Sequence, residues 1–132
     1  MSVKQIIVMR KDLKMRRGKE IAQGSHASIS FLVKRLEYRD KLLEAHEYHG
    51  ALFSKAEHQW MEGSFKKVCV QVNSEQELLD IHHKALQAGL VSHLITDSGL
   101  TEFNGVATNT CCAIGPDYDN KIDVITGKLP IY

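Results

Sequence analysis

VKQIIVMRKDLKMRRGKEIAQGSHASISFLVKRL, residues 3–36 of a 132-residue chain, contains the change of hydrophobic period on which the fold turns. Residues 3–10 carry Val3, Ile6, Ile7, Val8 and Met9, a largely β-branched block that suits a strand buried on both faces. A polar turn through Asp12 and Gly18 follows. From near Lys19 the pattern becomes helical, with Ala22, Ile29, Leu32, Val33 and Leu36 on one stripe that predicts a core-facing helix of about five turns.

Beyond this segment the elements alternate. Residues 40–61, rich in His, Glu and Lys, predict one or two helical pieces ending at Gly63. Val68, Cys69, Val70 and Val72 read as a second strand, and Ser74 with Glu77 forms a capping box in which hydroxyl and carboxylate each accept a free amide of the first helical turn. The helix so started runs from about Glu75 to Ala88 and is closed by Gly89. A third strand near Leu94 to Thr96 leads to a turn at Asp97, Ser98 and Gly99. A fourth runs from about Thr108 to Ile114 and is stopped by Gly115 and Pro116. A short helix around Asn120 to Thr126, ended by Gly127, leaves a tail of Leu129 to Tyr132. Strands alternating with helices imply an α/β layered domain, and the length predicts one domain over residues 1–132.

Composition excludes several classes. With 43% hydrophobic and 25% charged residues, 9 Gly and 2 Pro, the chain is neither disordered nor fibrous. The longest apolar run near the start, Ile6 to Met9, is far short of a signal-peptide core or a membrane span, so a cytoplasmic protein is expected. Cys69, Cys111 and Cys112 are odd in number and lack zinc spacing, which argues against disulfides and structural zinc. Cys111 and Cys112 are adjacent in a strand and point to opposite faces, as buried thiols.

The 17 Lys and Arg against 16 Asp and Glu give a net charge of +1, but the distribution is polarised. Residues 10–19 read RKDLKMRRGK, six basic residues against one acid, so this loop carries +5 and the remainder −4. A loop at the carboxyl end of a strand, leading into a helix whose free amides favour anions, is where an α/β fold binds phosphate. Walker-type spacing is absent, and a solvated basic turn is the competing reading.

Lys19, Gln23 and His26 stand at i, i+4 and i+7 and project from one side of the helix, at the rim of the core. His26 is either a packed histidine or a catalytic one. His46, His49, His58, His82, His83 and His93 form no metalloprotease-type pattern and read as surface or packing residues. A second constellation is Asp97-Ser98-Gly99-Leu100-Thr101, with Thr108 and Thr110 at the entry to the fourth strand. An aspartate at a strand's carboxyl end beside hydroxyls can serve as a base or orient water, or can simply cap its own turn.

These pieces, in this order and spacing, resemble the archaeal and eukaryotic type of peptidyl-tRNA hydrolase, the Pth2 family. The family's opening pattern is present as Arg10, Asp12, Leu13, Lys14, Met15, Gly18, Lys19, Ala22, Gln23, His26 and Ala27. Its Asp-Ala-Gly-basic-Thr turn corresponds to Asp97, Ser98, Gly99, Leu100 and Thr101, and its Thr-x-x-Ala-Ile-Gly-Pro strand to Thr110, Ala113, Ile114, Gly115 and Pro116. Ile122, Asp123, Thr126, Gly127 and Leu129 match its C-terminal motif. The chain departs from the pattern at Leu100, where a basic residue is usual, at Ser98 and Arg16, and in a segment 102–109 that is about one residue longer.

The resemblance implies a three-layer α/β/α sandwich with a mixed four-stranded sheet, commonly a homodimer, that hydrolyses the ester joining a peptide to tRNA without metal or organic cofactor. It places catalysis at Lys19, Asp97, Thr101 and Thr110, with Gln23 and His26 alongside. Asp97 would orient or deprotonate water, with His26 the rival base, and Lys19 would stabilise the oxyanion. Arg10, Lys14, Arg16, Arg17 and Lys19 are the expected contacts to tRNA phosphates. Two other readings keep the fold: a non-catalytic RNA-binding or protein-interaction module, and an esterase acting on another aminoacyl-tRNA.

Overall fold

The computed structural model describes residues 1–45 and 52–132. In chain order the elements are β1 (Val3–Arg10), α1 (Arg17–Glu44), α2 (Lys55–Glu62), β2 (Lys67–Val72), α3 (Glu75–Gln87), β3 (Ser92–Asp97), β4 (Thr108–Tyr118) and α4 (Asp119–Thr126). The strands form one mixed sheet in the order β2-β1-β4-β3. β1 is parallel to β2, with Gln5 opposite Lys67 and Arg10 opposite Val72, and β4 runs antiparallel to both β1 and β3.

Strand alternation gives the sheet two apolar faces. Ile6, Val8, Val70, Val72, Cys112 and Ile114 point one way, onto Leu78 and Ala85 of α3 and Ile122 of α4. Ile7, Met9, Cys111 and Ala113 point the other way, onto Ala27 of α1. The expected α/β architecture with helices on both faces is thus present, and adjacent Cys111 and Cys112 belong to different cores. Among the described residues, no helix is long and apolar enough to cross a membrane.

α1 differs from expectation in extent and in facing. It starts at Arg17, with Arg16 as N-cap, and continues to Glu44, so the first part of the region expected to form separate pieces belongs to it. Its buried residues are Gln23, Gly24, Ala27 and Phe31, whereas Ala22, Ile29 and Val33 are exposed and Leu32 and Leu36 half-buried. On the side turned to the sheet Gly24 and Ala27 let the helix approach closely, with Gln23 and Phe31 flanking them. Ile29 and Leu32, together with Ile21, instead border a cleft of about 770 Å³ between α1 and the β2 side of the sheet, with Trp60, Phe65 and Tyr132 on its far wall.

α2 is a real, separate element that ends at Gly63 as expected. Ser54 and Glu57 form its reciprocal capping box, a signal not read from the sequence. At α3 the expected box is half present. Ser74 Oγ accepts the Glu77 N–H at 3.0 Å, but the Glu77 carboxylate reaches the N–H of Asn73, before the helix. β4 does not stop at Gly115 and Pro116. A register shift opposite Lys4 and Ile6 absorbs the irregularity, and pairing resumes at Asp117 and Tyr118. Gly115, at φ +93°, could carry no side chain, since a Cβ there would lie 2.9 Å from both the Asp117 nitrogen and Ile122 Cδ1.

The tail completes the sheet's outer edge. Gln71 N–H donates to the Pro130 carbonyl at 2.9 Å and Tyr132 N–H to that of Cys69 at 3.0 Å. His46 and His49 lie outside the described residues. His58 is exposed on α2, and His82 is hydrogen-bonded to Ser92 Oγ at 2.7 Å.

Candidate active site

Two consecutive outward turns of α1 set Lys19 and Gln23 over the end of β3, where Asp97 is the last strand residue. Lys19 Nζ donates to Asp97 Oδ1 at 2.9 Å and to Thr101 Oγ1 at 2.8 Å. Gln23 Nε2 donates to the same Asp97 oxygen at 3.4 Å, while Gln23 Oε1 accepts from the buried Thr110 hydroxyl at 2.5 Å. One connected network therefore runs from Thr110 on β4 through Gln23 and Asp97 to Lys19 and Thr101. The side chains of the central pair are 14% and 12% exposed, so it lies sheltered but within reach of a substrate, and Thr101 is exposed at the rim.

Asp97 also caps its own turn, since Oδ2 accepts the Gly99 N–H at 2.9 Å. The two roles set against each other in the sequence coexist, one on each carboxylate oxygen. The Lys19 hydrogen bond holds the Asp97 pKa below the ordinary carboxylate value. Burial works the other way, and the Gly99 N–H, the Lys19 charge and His26 add to the lowering. Asp97 is therefore a stable carboxylate, suited to orienting a hydrogen-bond donor and weak as a proton acceptor.

Gly99 is required where it stands. Its φ is +82°, and a Cβ would come within 2.3 Å of the Val106 carbonyl oxygen. The loop that follows folds back onto this turn through a hydrogen bond from Gly105 N–H to Gly99 O at 2.9 Å. It places Phe103 with its ring centroid 5.9 Å from Lys19 Nζ, a contact not anticipated from the sequence. The only sequence signal for it was the altered segment 102–109.

The remaining expected residues are more scattered. His26 is exposed on the same flank of α1 and makes no side-chain hydrogen bond among the described residues, although it is near enough to influence Asp97. Thr108 bonds back to the Val106 carbonyl and stands outside the network. Arg10, expected at phosphate, is engaged within the fold. Its side chain is 10% exposed, with Nη2 2.7 Å from Asp12, Nη1 donating to the Asn109 carbonyl at 3.0 Å, and Glu75 at 3.7 Å. It ties the end of β1 to β4. Lys14 is exposed, Arg16 is 85% exposed and 3.5 Å from Glu102, and Arg17 borders the apolar cleft.

The family model described as Peptidyl-tRNA hydrolase PTH2 matches residues 3–132. The chain belongs to this family. It is 40% identical over 129 residues to a peptidyl-tRNA hydrolase of Methanocaldococcus jannaschii, covering 98% of this chain and 99% of the relative. A peptidyl-tRNA hydrolase of Methanothermobacter thermautotrophicus is 44% identical over 130 residues, again 98% and 99% of the two chains. A probable peptidyl-tRNA hydrolase 2 of Dictyostelium discoideum is 35% identical over 98% of this chain and 54% of its own. Against the PTH2 pattern, Leu100 gives the rim of the site a side chain that is 86% exposed and apolar.

Proposed function

We propose that the chain hydrolyses the ester between a peptidyl or N-blocked aminoacyl group and tRNA, releasing free tRNA. The observation that carries the reading is the Lys19 ammonium held between Asp97 and Thr101, in a chain that belongs to the peptidyl-tRNA hydrolases. Two of the three Lys19 N–H donors go to Asp97 and Thr101, which leaves one for the oxyanion that develops on the ester carbonyl. Asp97 accepts a hydrogen bond from the attacking water and aims it at the carbonyl carbon. As the new C–O bond forms and the ester C–O bond breaks, the water's proton passes to the leaving ribose oxygen. Thr110 and Gln23 act behind the pair, Gln23 being fixed by Thr110 so that its amide faces Asp97.

Lys14, Arg16 and Arg17 draw in the tRNA acceptor arm by charge, so affinity falls with salt. A cytoplasmic location is part of the proposal, supported by a substrate that arises in translation. A homodimer is part of the proposal, supported by the apolar cleft beside α1, whose exposed Ile21, Ile29 and Phe65 suit burial by a second copy.

The test is release of N-acetylaminoacyl groups from tRNA, run beside free aminoacyl-tRNA with wild type, Lys19→Ala and Asp97→Ala. Fast release of the blocked group by wild type alone is expected. Preference for the free aminoacyl ester assigns the site to the other esterase class, and equal rates for all three proteins reduce it to a binding module.

A further inference from the structure

We propose that Phe103 is the platform on which the unpaired base at the 3′ end of the tRNA stacks, a proposal that rests on the peptidyl-tRNA reading of the Lys19–Asp97 site. The scissile ester is carried by the terminal ribose, so the base on that ribose lies next to whatever group meets the ester carbonyl. Phe103 occupies that neighbourhood, its ring centroid 5.9 Å from Lys19 Nζ. Terminal nucleotides of tRNA are single-stranded, and proteins hold such bases by stacking them on aromatic side chains.

The surroundings of the ring suit a base better than a phosphate. Phe103 is half-buried, its inner part packed against the cluster around Met15 and Cys111. Beside it Leu100 and Val106 are 86% and 62% exposed, an apolar lip at the edge of a site otherwise built of charge and hydroxyls. The ring is also held in place at a conformational cost. Phe103 has a φ of +66°, a region that bulky side chains rarely enter, and Asn104, which tolerates it, follows at +52°. A hydrogen bond from Gly105 N–H to Gly99 O at 2.9 Å anchors the loop to the turn that carries Asp97, and one from Val106 N–H to Phe103 O, also 2.9 Å, closes the loop on itself. The platform and the charged pair therefore keep one fixed relation to each other.

The experiment compares wild type, Phe103→Leu and Phe103→Trp on two substrates, N-acetylaminoacyl-tRNA and the same molecule lacking its terminal base. On the intact substrate Phe103→Leu raises KM about tenfold, as expected for loss of one stacked base, while kcat changes little and Phe103→Trp restores KM. On the abasic substrate wild type and Phe103→Leu coincide. An equal penalty on both substrates overturns the proposal, because the ring then acts by propping Lys19, and so does the absence of any penalty. A short oligoribonucleotide ending in 2-aminopurine supplies a readout independent of hydrolysis. Its fluorescence is quenched on binding by wild type and Phe103→Trp and not by Phe103→Leu, and quenching by all three overturns the platform. Should wild type release acyl groups no faster than Lys19→Ala, the hydrolase reading fails on its own, and the quenching measurement still decides whether Phe103 stacks a base.

Discussion

α1 sends out two ion pairs, Lys19–Asp97 near its start and Arg35–Glu57 further along, and they are built on different plans. Arg35 meets Glu57 with two parallel bonds, 2.8 and 2.9 Å, and Glu57 also receives the Ser54 N–H at 2.7 Å. The Glu57 side chain is 3% exposed, and its geometry is that of a staple between α1 and α2. Lys19 meets Asp97 through a single bond, shares its ammonium with Thr101, and keeps a third donor without a hydrogen-bond partner among the described residues. An ion pair closed by two parallel bonds and a backbone N–H stabilises the fold, whereas one left incomplete beside an opening is available for chemistry.

The contrast breaks most clearly at Lys19. Lys19→Ala should lower the rate of acyl release by about 10²- to 10³-fold, as for loss of an oxyanion donor, with only a modest fall in the thermal midpoint from the lost Asp97 pairing. The staple should do the reverse. Glu57→Gln strands a half-buried guanidinium and should cost about 3 kcal/mol in urea unfolding, while activity per folded molecule is unchanged. A large activity loss at Glu57, or a large stability loss at Lys19, would erase the distinction.

Much of this was legible beforehand, because it depends on local spacing. The i, i+4 placement of Lys19 and Gln23 follows from helix geometry, and the turn at Asp97 from its own Gly99. What the sequence concealed was tertiary. The stripe of Ile29, Leu32 and Val33 had the period of a core face, yet Gln23, Gly24, Ala27 and Phe31 took that place, with Gly24 and Ala27 letting helix and sheet approach. Arg10 has the composition of a phosphate ligand, and only its position opposite Asn109 and Glu75 shows that its guanidinium turns inward. Only the altered segment 102–109 marked the neighbourhood of Phe103, whose position depends on a loop closing onto Gly99.

Two smaller effects sharpen the comparison. Thr110→Val removes the donor that fixes Gln23, and should slow acyl release about tenfold through reorientation of the Gln23 amide, with a loss of about 1 kcal/mol in stability. The effect of pH is smaller still. Burial opposes the charged form of Glu57, but the Arg35 hydrogen bonds, the Ser54 N–H and the Arg35 charge outweigh it, so its pKa lies below 4.5. Asp97 likewise lies below 3.8. Both contributions are present in full well above those values and fade as pH falls through the lower native ones. The carboxylate contribution to the urea midpoint should therefore be constant near neutrality and be lost on acidification, with a shallower loss in Glu57→Gln, on top of the decline that burial of His82 and His93 imposes below the ordinary histidine value. Activity should show no acid limb from Asp97 near neutral pH; a limb that appears there and vanishes in His26→Ala would transfer the role of base to His26.

The two adjacent cysteines of β4 provide a clock. Burial pushes the thiols of Cys111 and Cys112 up to about 12, and each is sealed into a different face of the sheet. Thiolate is the form that alkylating reagents attack, so neither sulfur reacts until its own layer of helices lifts away. Mass-resolved alkylation thus times the opening of the α1 side and the α3–α4 side separately within one molecule, with no label added to the chain.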